Sequence, residues 1–289
     1  MPELPEVEVV KRSLKRKIQN LVIKKVKIID KNLRYKVNKD EINKLHGSKI
    51  KNILRRSKFL IFEFNKTFVM LVHLGMTGKF FFIDKKNRKY KTSFYYKLDP
   101  HKDSKHDRVI FHLQNQQKLI YNDVRKFGFI KIINNKLLKN NDHLKNLGPE
   151  PLAKNFNYDY FKKYINKRKR NIKDILMDQK FVSGLGNIYV NEVLFESNIK
   201  PLRMTITLKN IEIKKIIKNT KKILKNSIKL GGSSIKDFSS DNGKKGIFQQ
   251  YFKAYGREGK TCSNIDCNSI IKRTIISNRA TFFCNKCQK

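Results

Sequence analysis

FLIFEF (59–64) and FVMLVHL (68–74), separated by Asn65-Lys66-Thr67, set the fold class of the first half of the chain. Two apolar runs of strand length around a short polar break predict an antiparallel hairpin. The pattern continues on both sides. VIKKVKII (22–29) alternates apolar and basic residues, VIFHL (109–113) and KLIY (118–121) flank a polar QNQQ, and FGFIKII (127–133) adds one more run. Many short strands with polar turns predict a β-sandwich or a barrel-like domain. Before them, Pro5 suits the first position of a helix, and Val7, Val10, Leu14 and Ile18 recur at helical spacing.

The chain changes character after residue 133. NNKLLKNNDHLKNLGPEPLAKN is polar, carries Gly148, Pro149 and Pro151, and reads as a linker. Beyond it the apolar period becomes helical. Ile213, Ile216, Ile217, Thr220, Ile223 and Leu224 form one face of a basic helix that Gly231-Gly232 should end. In FVSGLGNIYVNEVLF, Gly184 and Gly186 stand just before Asn187, a favoured helix cap. Such a helix start exposes backbone N–H groups to an anion, or it is an ordinary cap; the segment alone leaves both readings open.

The 66 Lys+Arg against 24 Asp+Glu give a net charge of +42. The excess points to a polyanionic partner, nucleic acid first. A composition crowded with Lys, Asn and Ile, as an A+T-biased genome produces, accounts for the same charge. A membrane-surface or ribosomal protein would share its sign. No apolar run approaches the roughly 18 residues of a membrane span. MPELPEVEVV lacks the basic-then-apolar order of a signal peptide, so a cytoplasmic protein is expected, nucleoid-associated when bound to DNA. The four cysteines, Cys262, Cys267, Cys284 and Cys287, fall within the last 28 residues. Clustered cytosolic thiols in two short-spaced pairs predict one structural zinc, with IIKRTII and RATFFC as a hairpin between them. Four thiolates leave no open position for catalysis.

PELPEV places two prolines and two glutamates at the very start. A small residue at position 2 generally allows removal of Met1, which would expose the secondary amine of Pro2. An amine titrating at about 8 keeps a neutral fraction at pH 7. It can attack a sugar C1′ and leave a Schiff base, with Glu3 beside it for proton transfer. Without further motifs, Pro-Glu would be read as helix-start chemistry.

Further motifs exist. PELPEVE, RRSKFL (55–60), HLGMTG (73–78), DVRKFG (123–128), NLGPEPL (146–152), LMDQKFVSGLGNIYVNE (176–192), GGSSIKDF (231–238), AYGR (254–257) and NRATFFCNKCQ (278–288) span the whole chain. Together they resemble the formamidopyrimidine-DNA glycosylase family. The resemblance implies an α+β multidomain fold: an N-terminal β-sandwich with a flanking helix, a helix–two-turn–helix domain and a C-terminal β-hairpin zinc finger. It divides the chain into a catalytic domain (1–133), a linker (134–155), a DNA-binding domain (156–232) and a lesion loop with zinc finger (233–289). The lesion loop itself is expected at about 236–248.

The implied activity is excision of 8-oxoguanine and formamidopyrimidines from duplex DNA by a monomer, followed by β,δ-elimination through a Schiff base at Pro2. The catalytic set is Pro2, Glu3, Lys58 and Arg279, with Glu6 lining the site. His73 and Asn187 join Lys58 and Arg279 at phosphates. Met76, Arg125 and Phe127 match the trio that fills the gap left by an extruded base. Three departures stand out: the first cysteine pair is C-x4-C rather than C-x2-C, the aromatic-Cys segment has Phe283 where Tyr is usual, and the lysine-rich stretch NKRKRNIK offers no single equivalent. An endonuclease VIII-like enzyme for oxidised pyrimidines is the nearest alternative, but that branch begins Pro-Glu-Gly-Pro-Glu where this chain has Leu4.

Overall fold

The structure, a computed structural model, describes residues 1–92, 104–233 and 248–289. The chain forms two compact units, Met1–Lys145 with Gly231–Ile247, and Asn146–Leu230 with Phe248–Lys289. The loop expected at 236–248 falls, apart from Phe248, outside the described residues.

The first unit opens with α1 (Leu4–Ile18), followed by β1 (Ile23–Ile28), α2 (Lys39–Asn43), β2 (Ile50–Arg56), β3 (Phe59–Phe64), β4 (Phe68–His73), β5 (Lys79–Ile83), β6 (Lys89–Lys91), β7 (Asp107–Leu113), β8 (Lys118–Asn122) and β9 (Phe129–Asn134). The strands make two antiparallel sheets, β1-β7-β8-β5-β6 and β2-β3-β4-β9. Helix α1 starts one residue before Pro5, at Leu4, with Glu3 in the capping position. Pro5 still lies in the first turn, where its missing N–H breaks no helical bond.

Period two in the strands builds the sandwich core. Leu60, Phe62 and Phe64 of β3 and Met70 and Val72 of β4 face Phe80, Phe82, Phe111 and Tyr121 of the other sheet, with Val7, Val10, Leu14 and Ile18 of α1 in the same core. The intervening residues Ile61, Val69 and Leu71 point the other way and are also buried, under Leu138 and Leu144. That covering segment explains why the 59–74 hairpin reads as continuous apolar runs rather than a clean alternation.

The second unit contains α3 (Tyr158–Ile165), α4 (Ile172–Met177), α5 (Asn187–Ser197), α6 (Asn210–Lys229) and the hairpin β10 (Ile271–Ile276)–β11 (Arg279–Cys284). Helix α5 is buried on nearly every side, as a central helix must be when its sequence is apolar all round. Helix α6 is amphipathic, and it stops where Gly231 and Gly232 take φ values of +80° and +81°. No helix among the described residues is long and apolar enough to cross a membrane.

One close approach in the sandwich is testable. A Cβ added to Gly128 would lie 1.9 Å from Tyr121 Oη and 2.6 Å from the His73 carbonyl oxygen. Gly128→Ala is expected to cost about 3 kcal/mol by overpacking, read from chemical denaturation.

Candidate active site

The chain start is held inside the first unit. Pro2, Glu3 and Glu6 are buried. Glu6 Oε2 accepts the Glu3 amide at 2.9 Å. Its other oxygen accepts the amide and hydroxyl of Ser233, at 2.8 and 2.9 Å. Gly232, at φ +81°, passes so close that an added Cβ would sit 3.1 Å from Glu6 Oε1. The Met1 terminal amine is pulled below its usual pKa of 8.0, first by burial; Glu3 and Glu6 oppose this, while Lys58 and Arg125 reinforce it.

Lys58 occupies the tip of the β2–β3 hairpin. Arg56 pairs with Phe59, leaving a two-residue turn in which Ser57 has φ +55°. Arg55 braces this tip: Nη1 donates to the Ser57 carbonyl at 3.0 Å, and Nε donates to Glu8 of α1 at 2.9 Å. Burial works against ionisation of Glu8, but hydrogen bonds from Lys11, Arg12 and Arg55 outweigh it and hold the carboxyl below the usual range. Glu8 lies inside the quoted PELPEVE motif, yet no local spacing announces its partner Arg55.

His73 ends β4. Its ring stacks on Phe129 (5.8 Å between centroids, 21° between planes) and touches Phe59. Nδ1 accepts the Gly75 amide at 3.1 Å, so in the neutral ring the proton sits on Nε2. Burial first, then Lys58, Arg34 and His143, bring its pKa down to about 4. His73 is thus a neutral N–H donor at pH 7. Met76, Arg125 and Phe127 are exposed on two adjoining turns, with the Arg125 guanidinium 4.5 Å from the Phe127 ring centroid.

In the second unit, Gly186, not Asn187, is the N-cap of α5. Gly184, at φ +97°, donates its amide to Gln179 Oε1 at 2.8 Å, and Gln179 Nε2 donates to the Leu185 carbonyl at 2.8 Å. NLGPEPL lies against this loop: Gly148 donates to the Gln179 carbonyl at 2.8 Å, where any Cβ would meet backbone oxygens at 2.4–2.5 Å. Freed from capping, the Asn187 side-chain amide donates to the Ala280 carbonyl at 2.9 Å. Lys173, buried in α4, donates to the same carbonyl at 3.3 Å and to Thr281 Oγ1 at 2.5 Å. Burial lowers its pKa to about 8. The base of β11 is thereby fixed beside Arg279, which is exposed. Lys173 belongs to the stretch in which no residue could be singled out. Its signal was the helical spacing that puts it three residues from buried Leu176.

The four cysteine sulfurs lie within 4.8 Å of one another, Cys262 to Cys287 at 3.9 Å and Cys267 to Cys284 at 3.7 Å. Thiolates about 2.3 Å from a tetrahedral zinc stand about 3.8 Å apart, so the set fits that ion. The longer first pair is accommodated by a left-handed residue, Asp266 at φ +60°, and by the Cys262 amide donating to the Ser269 carbonyl at 2.8 Å.

The formamidopyrimidine-DNA glycosylase N-terminal domain model matches residues 1–130, and the formamidopyrimidine-DNA glycosylase H2TH domain model matches 147–239. The chain belongs to the formamidopyrimidine-DNA glycosylase family. Along its whole length it is 41% identical to formamidopyrimidine-DNA glycosylase of Rickettsia bellii (strain OSU 85-389), all of which is covered. A Bradyrhizobium sp. (strain ORS 278) relative of the same name is 36% identical, again over 100% of both chains. Among solved structures, the complex of wild-type Lactococcus lactis Fpg (MutM) with DNA containing N7-benzyl-Fapy-dG has a TM-score of 0.84, 33% identity and full coverage of both chains. The complex of Lactococcus lactis Fpg with DNA containing an abasic site has the same score and identity over 99% of each chain.

The His73 shift sets a pH dependence. Between pH 6.5 and 4 the unfolded chain binds a proton that the folded ring refuses, so stability falls as pH drops through this window. The loss should approach roughly 3 kcal/mol at pH 4 and be absent from His73→Gln, as measured by urea titrations from pH 4 to 7.

Proposed function

We propose that this member of the family is a base-excision repair glycosylase that removes oxidised purines from duplex DNA and then cuts the strand by β,δ-elimination. The observation that carries this reading is the burial of Pro2, Glu3 and Glu6, with Glu6 held by the Glu3 amide and by both donors of Ser233. With Met1 removed, the Pro2 amine attacks C1′, the bond to the damaged base breaks, and opening of the sugar ring leaves an iminium. Removal of a C2′ proton then expels the 3′ phosphate, and a second elimination expels the 5′ phosphate. Glu3 is assigned to proton transfer at the sugar, and Glu6 to the lining of the site.

Lys58, Arg279, His73 and Asn187 are assigned to phosphates of the flipped nucleotide. The histidine acts through its Nε2–H and the asparagine through the amide hydrogen not given to Ala280. Met76, Arg125 and Phe127 fill the vacated space in the duplex. The domain division 1–133, 134–155, 156–232 and 233–289 accompanies this assignment, as do a monomeric state and a cytoplasmic, nucleoid-associated location. One structural zinc is assigned to Cys262, Cys267, Cys284 and Cys287. It would cross-link two turns that bury too little apolar surface to hold themselves.

Borohydride trapping on a duplex with 8-oxoguanine opposite cytosine tests the chemistry. The expected product is a covalent adduct at Pro2 by mass spectrometry, with Glu3→Gln binding the duplex but excising nothing. An adduct formed only with an oxidised pyrimidine would move the protein to the endonuclease VIII-like class, and excision by Glu3→Gln at the normal rate would refute that residue's role. For the metal, chelation of purified protein should release one zinc per chain and weaken lesion binding at least about tenfold. Purified protein that yields no zinc would exclude the metal assignment, and full binding by metal-free protein would show that the zinc hairpin is not needed to hold Arg279 on the DNA.

A further inference from the structure

We propose that Thr77 and Asp123 are positioning residues that brace the turns 73–78 and 123–128 into one rigid blade carrying Met76, Arg125 and Phe127. The proposal rests on the reading above, in which this blade enters a duplex.

The exposed side is unusual for a globular surface. Met76, Val124 and Phe127 are 38%, 43% and 45% exposed on neighbouring turns. Apolar side chains inserted between base steps must resist being pushed aside by the stack, so their mounting matters as much as their shape.

The mounting is a buried carboxylate. Asp123 is fully buried. Its Oδ1 accepts the Thr77 hydroxyl at 2.5 Å, and its Oδ2 accepts the Gly128 amide at 2.8 Å. The Thr77 oxygen in turn accepts the Arg125 amide at 3.0 Å. The two side chains together tie the start, middle and end of the second turn to the first. The backbone of Asp123 is fixed as well: its amide donates to the His106 carbonyl at 3.0 Å, and Arg108 Nε donates to the Asp123 carbonyl at 2.9 Å. Beneath lies Tyr121, whose phenol is pushed well above its usual pKa by burial and then by Asp123, and so stays a neutral donor.

Backbone contact completes the joint. A Cβ on Gly75 would fall 2.4 Å from the Phe127 carbonyl carbon and 2.5 Å from the Gly128 nitrogen. The turns therefore touch main chain to main chain. Lys126 adds an ion pair to Asp30 at 2.7 Å, and the Arg34 amide donates to the Gly128 carbonyl at 3.1 Å. A blade already ordered in the free protein loses little conformational entropy on insertion.

Replacing wholly buried Asp123 endangers the fold, so half-buried Thr77 supplies the test. Thr77→Val keeps the shape and removes the hydroxyl; Thr77→Ser restores it. In the free protein, Thr77→Val should raise hydrogen exchange at the Arg125 and Gly128 amides by about tenfold. Excision from a lesion-containing duplex should fall by about tenfold, while cleavage of an abasic site in a single-stranded oligonucleotide, which has no stack to open, stays within about twofold. Thr77→Ser should match wild type in each assay. Wild-type exchange in Thr77→Val, or equal losses on both substrates, would overturn the brace. A wild-type protein that excises nothing from the duplex would instead refute the glycosylase reading, and the exchange measurement would still decide the brace.

Discussion

Chain ends fray unless something ties them down, and the chemistry assigned to the first unit depends on this end being tied. The Glu6 carboxylate does it. It faces back along α1 to take the Glu3 amide, and outward to take both donors of Ser233. The apolar stripe of α1 then anchors the helix in the sandwich core, so the residues ahead of it inherit a defined position.

The same device recurs. Asp123 collects donors from two turns, Glu8 joins α1 to the hairpin that carries Lys58, and Glu192 accepts the amides of Lys253, Ala254 and Tyr255 at 2.7–3.0 Å. Glu6, Glu8, Asp123 and Glu192 are all at most 7% exposed. In a chain with 24 acidic residues against 66 basic ones, acids this deeply placed serve as internal scaffolding. The positive excess is left mostly to the surface, which is the distribution a polyanion-binding protein requires.

The sequence made the local elements readable because each is built from near neighbours. The 59–74 hairpin, α1, α6 with its glycine stop and the cysteine hairpin follow from apolar period and turn chemistry. Strand β2 did not stand out, since KNILRR interrupts its apolar positions with charge, and the segment over Leu138 and Leu144 looked like plain connection. Ser233 and Glu6 are 227 residues apart, and no periodicity encodes such a pair. Asn187 shows the limit of propensity: its type suggested a cap, but Gly186 takes that place and the Ala280 carbonyl claims the amide. Individual roles came from family resemblance; spacing alone gave the metal ligands and little else.

Gly231, Gly232 and Ser233 belong to the first unit, although Leu230 before them and Phe248 after them belong to the second. Neither unit is therefore a continuous stretch of gene. A single recombination breakpoint near residue 145 would transplant a first unit without Ser233, leaving the Glu6 carboxylate short of two donors in a buried place. Exchange between relatives at that point is penalised unless the donor segment brings a matching Gly-Gly-Ser. The two units are bound to evolve as a pair, whatever surface each presents to a ligand.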